Sequence, residues 1–451
     1  MSELDTGDTA WMIAATMLVL FMTIPGLSLF YSGMVREKNV LSTIMQGFSI
    51  TCLITFLWLA FGYSLSFAPT HQLHSDKADA VIGDASRFWM HGLKIDSVHG
   101  LAPTIPEAIF CMYQLTFAII TPALITGSFA DRMRYGPMLL FISLWHLLVY
   151  CPTAHSVWHP QGFLFKAGVL DFAGGSVVHV SSGCAGLVSC IVLGHRKGFG
   201  HSRFEPHNVL LTVVGASMLW VGWYGFNGGS ALAANTVACF AILTTQISTG
   251  CAALSWMTTE WYFRGKPSVM GMVSGAVAGL VAITPGAGFV DPTGAFFIGL
   301  LAGPVCYGGV QLKHWMGYDD ALDAFGVHGI GGALGGILVG FFASSHVNAT
   351  AGVDGVLYAG THSGEGWRQV GLQVYGITVC GAYSAAVSLV LLLAIERTMG
   401  LRVSEAEEDE GLDKSLHAET LHAEEVLLEQ KFTKISTQKV LVANRDLDLP
   451  L

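Results

Sequence analysis

The chain has 451 residues, of which 52% are apolar and only 12% charged, with a mean hydropathy of +0.55. An ordinary soluble domain carries about 25% charged residues, so this composition excludes a water-soluble globule and points to a bilayer. The net charge of −10 excludes a nucleic-acid footprint, which needs clustered lysine and arginine. Nine cysteines fall in or beside apolar runs with no Cys-x-x-Cys pair, and read as buried free thiols. No Walker loop, dinucleotide fingerprint or nucleophile elbow stands in a usable context, so neither an ATP-driven pump, an enzyme nor a bound cofactor is expected.

The acidic start, Met1-Ser-Glu-Leu-Asp-Thr-Gly-Asp8, lacks the basic stretch of a cleaved signal peptide, so the first apolar run is expected to stay in the protein. A helix crosses the hydrocarbon with about 20 apolar residues. That rule predicts eleven spans, at about 9–31, 39–68, 104–128, 135–157, 174–193, 207–229, 238–262, 269–285, 292–312, 323–343 and 371–397. The eighth is short and ends at Pro285. One set of connecting loops holds Arg36, Lys38, Arg132, Arg134, Arg196, Lys197, Arg203, Arg264, Lys266 and Lys313. The opposite set holds only Lys77, Arg87, Lys94, Lys166 and Arg368. Positive residues stay inside, which places the N-terminus outside and the chain beyond about 398 in the cytoplasm.

Spans five and ten each carry one histidine in a glycine-rich run. The first is Asp171-Phe-Ala-Gly-Gly-Ser-Val-Val-His179, followed by Gly183 and Gly186. The second is Asp323-Ala-Phe-Gly-Val-His328, followed by Gly332 and Gly335. The glycines stand at the same offsets in both, although the aspartates do not. A lone histidine in such a run is usually a packed core residue, but a matched pair at membrane depth is a functional hypothesis. Five helices per half is an odd number, so the halves insert with opposite orientation. The expected fold is therefore an all-α membrane protein of two inverted five-helix repeats plus one extra helix, with the site at the repeat interface. The glycines also serve close helix packing.

After Arg397 the chain turns polar. Gly400 to His417 carries Glu405, Glu407, Glu408, Asp409, Glu410 and Asp413. These acids are expected to dock on Arg132, Arg134, Arg196, Lys197 and Arg264 through exposed pairs worth at most about 1 kcal/mol each. The stretch to Leu451 alternates charged and aliphatic residues, and is either a short helix or disordered. The expected division is 1–398 for the membrane domain and 399–451 for a cytoplasmic regulatory tail.

Several phrases resemble the ammonium transporter family (Amt/Mep/Rh), on its Amt side. They are Pro25-Gly-Leu-Ser-Leu-Phe-Tyr-Ser-Gly33, Gln114-Leu-Thr-Phe117-Ala, Ala154-His-Ser-Val-Trp158, Leu219-Trp-Val-Gly-Trp223-Tyr-Gly-Phe226-Asn227-Gly-Gly-Ser230, and the two histidine runs. The tail phrase Gly400–His417 is similar to the family's cytosolic regulatory segment. The resemblance covers about residues 9–418. It implies a homotrimer whose subunits each hold a narrow apolar pore. Trp158, Phe117 and Ser230 match an outer recruitment site, Phe117 and Phe226 a gate, and Trp223 a pore-lining tryptophan. His179 and His328 match a hydrogen-bonded pair, and Asp171 an acidic residue beside the outer site. One departure is an extra residue between Trp158 and Asp171.

Ammonium is tetrahedral, has four N–H donors and is close to potassium in size, so selection needs more than charge. Aromatic faces such as Trp158 and Phe117 attract a desolvating cation by about 2 kcal/mol or more. The Ser230 hydroxyl accepts an N–H bond that potassium cannot donate. Alone, Trp158 would read as an interfacial belt residue and the phenylalanines as packing. A neutral His179–His328 pair offers donor and acceptor in turn, and can relay a proton. Asp171 is either the proton acceptor or, the favoured reading, a cap that fixes the helix start and outer site. A metal site is not expected: His155 and His159 flank Trp158 without ligand spacing, and the twin histidines lack a third ligand.

The expected function is transport of ammonium or ammonia, with methylammonium as an analogue. The protein would be multi-pass in the plasma membrane, among lipid and without nucleic acid. The alternative is an ammonium sensor signalling through the tail. Regulation would come from a cytosolic protein or from a kinase acting at Ser415 beside Asp413.

Overall fold

The computed structural model describes residues 4–68, 79–202 and 204–421. Lys77, Arg203 and the reading of the chain toward Leu451 lie outside the described residues. Ten helices among them are long and apolar enough to cross a membrane. They are α1 (Thr6–Met34), α2 (Glu37–Phe67), α3 (Glu107–Phe129), α4 (Tyr135–Ala167), α5 (Gly175–Leu193), α6 (Val209–Gly229), α7 (Thr236–Arg264), α9 (Pro292–Met316), α10 (Phe325–Phe342) and α11 (Gly364–Met399). Between α7 and α9 lies a shorter apolar helix, α8 (Val269–Ile283). Two short helices follow in the tail, α12 (Glu405–Glu410) and α13 (Leu412–His417). A small antiparallel hairpin, β1 (Val98–His99) and β2 (Ala102–Pro106), precedes α3 and pairs His99 with Ala102.

The helix starts follow from their caps. Asn208 accepts from the Leu211 amide (3.1 Å), Asn235 from Ala238 (3.0 Å), and Asp291, just before Pro292, from Gly294 (2.7 Å). Each satisfies an amide that the first turn leaves free. Helix α3 is the centre of the bundle, with every residue from Leu115 to Phe129 buried. Helix α11 lies at the margin, with only 28% of its apolar window covered by protein.

Five of the helices contain a widened π-turn: Met22–Leu27, Trp58–Gly62, His146–Tyr150, Gly175–Val180 and Phe325–Gly329. Such turns often mark functional positions. The last two hold His179 and His328.

Helices α5 and α10 cross backbone to backbone. A Cβ on Gly183 would sit 2.3 Å from the Gly329 amide nitrogen. One on Gly332 would sit 2.8 Å from the Gly175 carbonyl oxygen and 2.9 Å from the His179 Cβ. The second glycines pack outward in a matching way: Gly186 against Ser128 at the end of α3, and Gly335 against Ala282 at the end of α8. The loops make the reciprocal contacts. The Phe172 amide, before α5, donates to Pro285 after α8 (3.0 Å), and the Leu322 amide, before α10, donates to Gly127 in α3 (2.9 Å).

The aspartate paired with His328 is Asp320, not Asp323. Asp320 accepts from the amides of Ala324 (3.2 Å) and Phe325 (2.8 Å) at the start of α10. It precedes His328 by the same interval as Asp171 precedes His179 (320 to 328, 171 to 179). Asp323 adopts a positive φ of 62° and pairs with Lys313. The mismatch in intervals therefore came from choosing the nearer aspartate.

Adding an isopropyl group at the crossing would force the backbones apart. Gly332→Val is expected to cost about 2 kcal/mol or more, read as a lower midpoint in thermal unfolding of the detergent-solubilised protein. An unchanged midpoint would mean that the helices can separate without loss.

Candidate functional site

A cavity of about 110 Å³ opens at the end of the bundle opposite the tail, lined by Phe67, Phe110, Gln114, Phe117, Trp158, Ser230 and others. Trp158 stands at the end of a helical segment (Cys151–Trp158), and its indole nitrogen donates to the Asp171 carbonyl oxygen (2.9 Å). Its ring meets Phe117 edge-on, 5.8 Å between centroids. The Ser230 hydroxyl donates to the Phe226 carbonyl oxygen (2.8 Å), with the Tyr113 hydroxyl 3.3 Å away.

Beneath the cavity, Phe117 and Phe226 stack with centroids 4.2 Å apart, and both are buried. Trp223 follows, its ring tilted against Phe226 (5.3 Å) and stacked on His179 (5.5 Å, 17°). The Trp223 indole donates to the Thr284 hydroxyl (2.9 Å), which fixes the ring. His179 and His328 stack 5.2 Å apart, with their Nδ1 atoms at 3.3 Å. One of two neutral imidazoles must then donate and the other accept, so the rings hold opposite tautomers. The His179 Nε2 is buried and has no hydrogen-bond partner among the described residues. The structure thus brings Trp158, Phe117, Ser230, Phe226, Trp223, His179 and His328 into one continuous file.

Asp171 stands beside that file rather than in it. Its carboxylate accepts from the amides of Gly174 (2.8 Å), Gly175 (2.6 Å), Ser176 (2.8 Å) and Val177 (3.1 Å). All four are free donors at the start of α5. Its main-chain carbonyl holds Trp158, so the helix cap and the outer aromatic site share one residue. Sequence reasoning passed over Thr284 and Tyr113, which position Trp223 and Ser230. Neither belongs to a motif; only their contacts reveal them.

At the other end the tail packs onto the bundle, by one of the expected pairs, Lys197 with Asp409, and otherwise by contacts that were not expected. Asp413 is buried, and its carboxylate caps the amides of Leu41 (3.0 Å) and Ser42 (2.7 Å) in α2. Glu408, also buried, accepts from the Lys197 amide (2.8 Å) and from Arg402 (2.9 Å). Lys38 donates to the carbonyl oxygens of Glu408 and Asp409, and Lys197 pairs with Asp409. The Ser415 hydroxyl donates to the Gly411 carbonyl oxygen (2.8 Å). Arg264 pairs instead with Glu260 on its own helix (3.7 Å). Arg132 turns inward to carbonyl oxygens of Ser128, Ala130 and Asp319. Buried carboxylates bound to amides thus stand beside the one exposed pair, because an amide at a helix start needs an acceptor more than a solvated lysine does.

Beneath the tail, Arg196 grips Asp319 through its Nε (2.9 Å), its Nη2 (2.7 Å) and its own amide (2.7 Å). Burial alone would raise the Asp319 carboxyl, and the Arg196 guanidinium reverses this, holding it at about 2.

Bundled apolar helices around an aromatic cavity, a stacked phenylalanine pair and two facing imidazoles define an integral, multi-pass membrane protein with a built interior path. The chain belongs to the Ammonium Transporter Family, whose sequence model matches residues 10–422. It is 45% identical to an ammonium transporter of Bacillus subtilis (strain 168), over 92% of this chain and 98% of that one. It is 46% identical to an ammonium transporter of Aquifex aeolicus (strain VF5), over 93% and 94%. The crystal structure of Saccharomyces cerevisiae Mep2 superposes with a TM-score of 0.80 at 36% identity, covering 89% of this chain and 88% of Mep2.

Because Asp319 titrates below its ordinary 3.8, the unfolded chain binds more protons than the folded one in that range. The stabilisation is present above about pH 4, is lost as pH falls toward 2, and amounts to about 2 kcal/mol. Asp319→Asn should lower the unfolding midpoint at neutral pH and flatten its decline between pH 4 and 2. An acid decline as steep as that of the unaltered protein would assign it to other groups.

Proposed function

We propose that this chain is an ammonium transporter of the plasma membrane, with eleven spans as two inverted five-helix repeats plus α11. In this reading the N-terminus is outside, residues 1–398 form the transport domain and 399–451 a cytoplasmic regulatory tail. Three copies assemble, each with its own path. The reciprocal contacts of α5 and α10 and their equally spaced aspartates support the repeat. The single observation that carries the functional reading is the Nδ1-to-Nδ1 pair of His179 and His328, lying directly beyond the stacked phenylalanines that close an aromatic cavity.

Ammonium enters against Trp158 and Phe117, where the ring faces replace part of its water shell, and Ser230 accepts one N–H bond. An ion at the centre of the bilayer costs at least about 3 kcal/mol by the gentlest scales. Ammonium hands one proton to water in the outer cavity, and the cargo passes Phe117 and Phe226 as ammonia. It meets imidazoles that offer one donor and one acceptor each. The proton follows through the histidine pair, whose tautomers exchange as it passes, and rejoins ammonia on the far side. Asp171 acts as a cap and as the support of Trp158, since its carboxylate is committed to four amides. The test is the purified full chain in liposomes, with labelled methylammonium uptake and current recorded together. His179→Ala with His328→Ala should abolish proton-coupled flux, leaving none or an unselective leak. Wild-type flux and ammonium-over-potassium selectivity in that double variant would end the relay reading. Signalling with no flux in the unaltered protein would favour the sensor instead.

The docked tail keeps the subunits active, and a soluble signalling protein or a kinase acts by loosening it. A phosphate on Ser415 would bring about two negative charges next to Asp413 and to the Glu407 and Gly411 carbonyls that the hydroxyl faces. Ser415→Asp, and truncation after about residue 400, should each lower transport at unchanged membrane abundance. Full transport by the truncated chain would reduce the tail to an appendage.

A further inference from the structure

We propose that His99 is a positioning residue for the outer cavity: its neutral imidazole fastens the cavity wall, and its protonation in acid loosens capture of the cation. The inference rests on the recruitment reading given above and adds a regulation of that same site by pH.

His99 stands at the turn of the hairpin, paired with Ala102 across the two strands. It is buried, and it holds three residues that line the cavity. Its Nδ1 accepts from the Leu101 amide (3.2 Å), and its Nε2 bonds the Phe67 carbonyl oxygen at the end of α2 (2.9 Å). Its ring lies on that of Phe110 in α3, with centroids 4.3 Å apart and planes 10° from parallel. Phe67, Leu101 and Phe110 are all cavity wall. One imidazole thus joins the outer loop, α2 and α3 behind the site. Its partners also fix its protonation. An amide only donates and a carbonyl oxygen only accepts, so Nδ1 is bare and Nε2 carries the proton. A second proton would go onto Nδ1 and point at the Leu101 N–H. Two donors would then face each other, and the turn that carries Leu101 would have to open.

The charged and titratable groups around the ring pull in both directions. The Glu107 carboxylate at the start of α3 favours the charged ring, and the Arg87 guanidinium in the loop opposes it. Those two are themselves paired (3.3 Å). The Tyr63 ring of α2 stands 6.5 Å away, its hydroxyl donated to Glu107 (2.8 Å). His159 of α4, stacked on His155 (4.4 Å), repels a charged His99 when it is charged itself. Burial outweighs Glu107 and holds the His99 ring below the ordinary imidazole value of 6.5. The neutral, fastened form therefore prevails at neutral pH, and the charged form grows in only as pH falls below that value.

The experiment uses the full chain in liposomes, with equal pH on both sides. It reads the half-saturating concentration of labelled methylammonium at about pH 7.5 and about pH 4.5, on either side of the imidazole range. Methylammonium stays protonated throughout, so its own titration does not enter. In the unaltered protein the acid value should exceed the neutral one about three- to tenfold, the worth of one hydrogen bond. His99→Gln keeps an amide that can bond the Phe67 carbonyl oxygen but takes up no proton, and its acid rise should shrink below about twofold. His99→Phe keeps the stack on Phe110 and removes both hydrogen bonds. It should show the weakened capture already at neutral pH, with no further rise in acid. An unaltered protein with no acid rise, or a His99→Gln variant with the full rise, would overturn the proposal. If His99→Gln fails to reach the membrane, a full acid rise in His99→Phe would overturn it as well. The recruitment reading fails by a separate result: Trp158→Leu would leave the half-saturating concentration unchanged at neutral pH, whatever His99 does.

Discussion

The interior of this protein depends on two helices touching without side chains between them. Where α5 and α10 cross, Gly183 lies on the Gly329 backbone and Gly332 on the Gly175 backbone. In hydrocarbon there is no hydrophobic drive between helices, so association rests on close packing and internal hydrogen bonds. The glycines bring the axes near enough for His179 and His328 to meet at 3.3 Å. A single added methyl on this seam would press on the backbone beside His328 or on His179 itself.

That seam needs helix starts that are safe to bury. A free amide inside a bilayer costs several kcal/mol, and each half-helix begins well within the bundle. Asp171 covers four amides of α5 and Asp320 two of α10. The positive end of each helix also favours the carboxylate. Both acids are thereby committed to backbone, and the file between cavity and histidines is left to rings, amides and hydroxyls. The π-turns at Gly175–Val180 and Phe325–Gly329 complete the arrangement, since each carries its histidine on the widened turn.

Much of this was legible from the residues. The apolar runs located the membrane helices to within a few residues, apart from the end of α4, which reaches Ala167 rather than about 157, and the start of α11, which begins at Gly364 rather than near 371, because polar Glu365 and Arg368 in its first turns broke the apolar run. The aromatic and histidine positions could be read from their phrases, which survive as local strings. The likeness of the two histidine runs was only half legible. Its glycine offsets showed, but Asp323 stood closer to His328 and masked Asp320, whose capping role needs a three-dimensional loop to see. Tail docking was foreseen from opposite charges. Its actual basis, buried carboxylates on amide donors, was not, because sequence records which charges are present and not which backbone groups lack partners.

One contact bears on how such a chain is made. The start of α2 is completed by Asp413, and Asn39 in its first turn accepts from the Leu412 amide (2.8 Å). A ribosome delivers these partners more than 370 residues apart in order of synthesis. Those two amides of α2 therefore stay unsealed until residues more than 370 further along have been translated. A chain broken off before Asp413 leaves that helix end open.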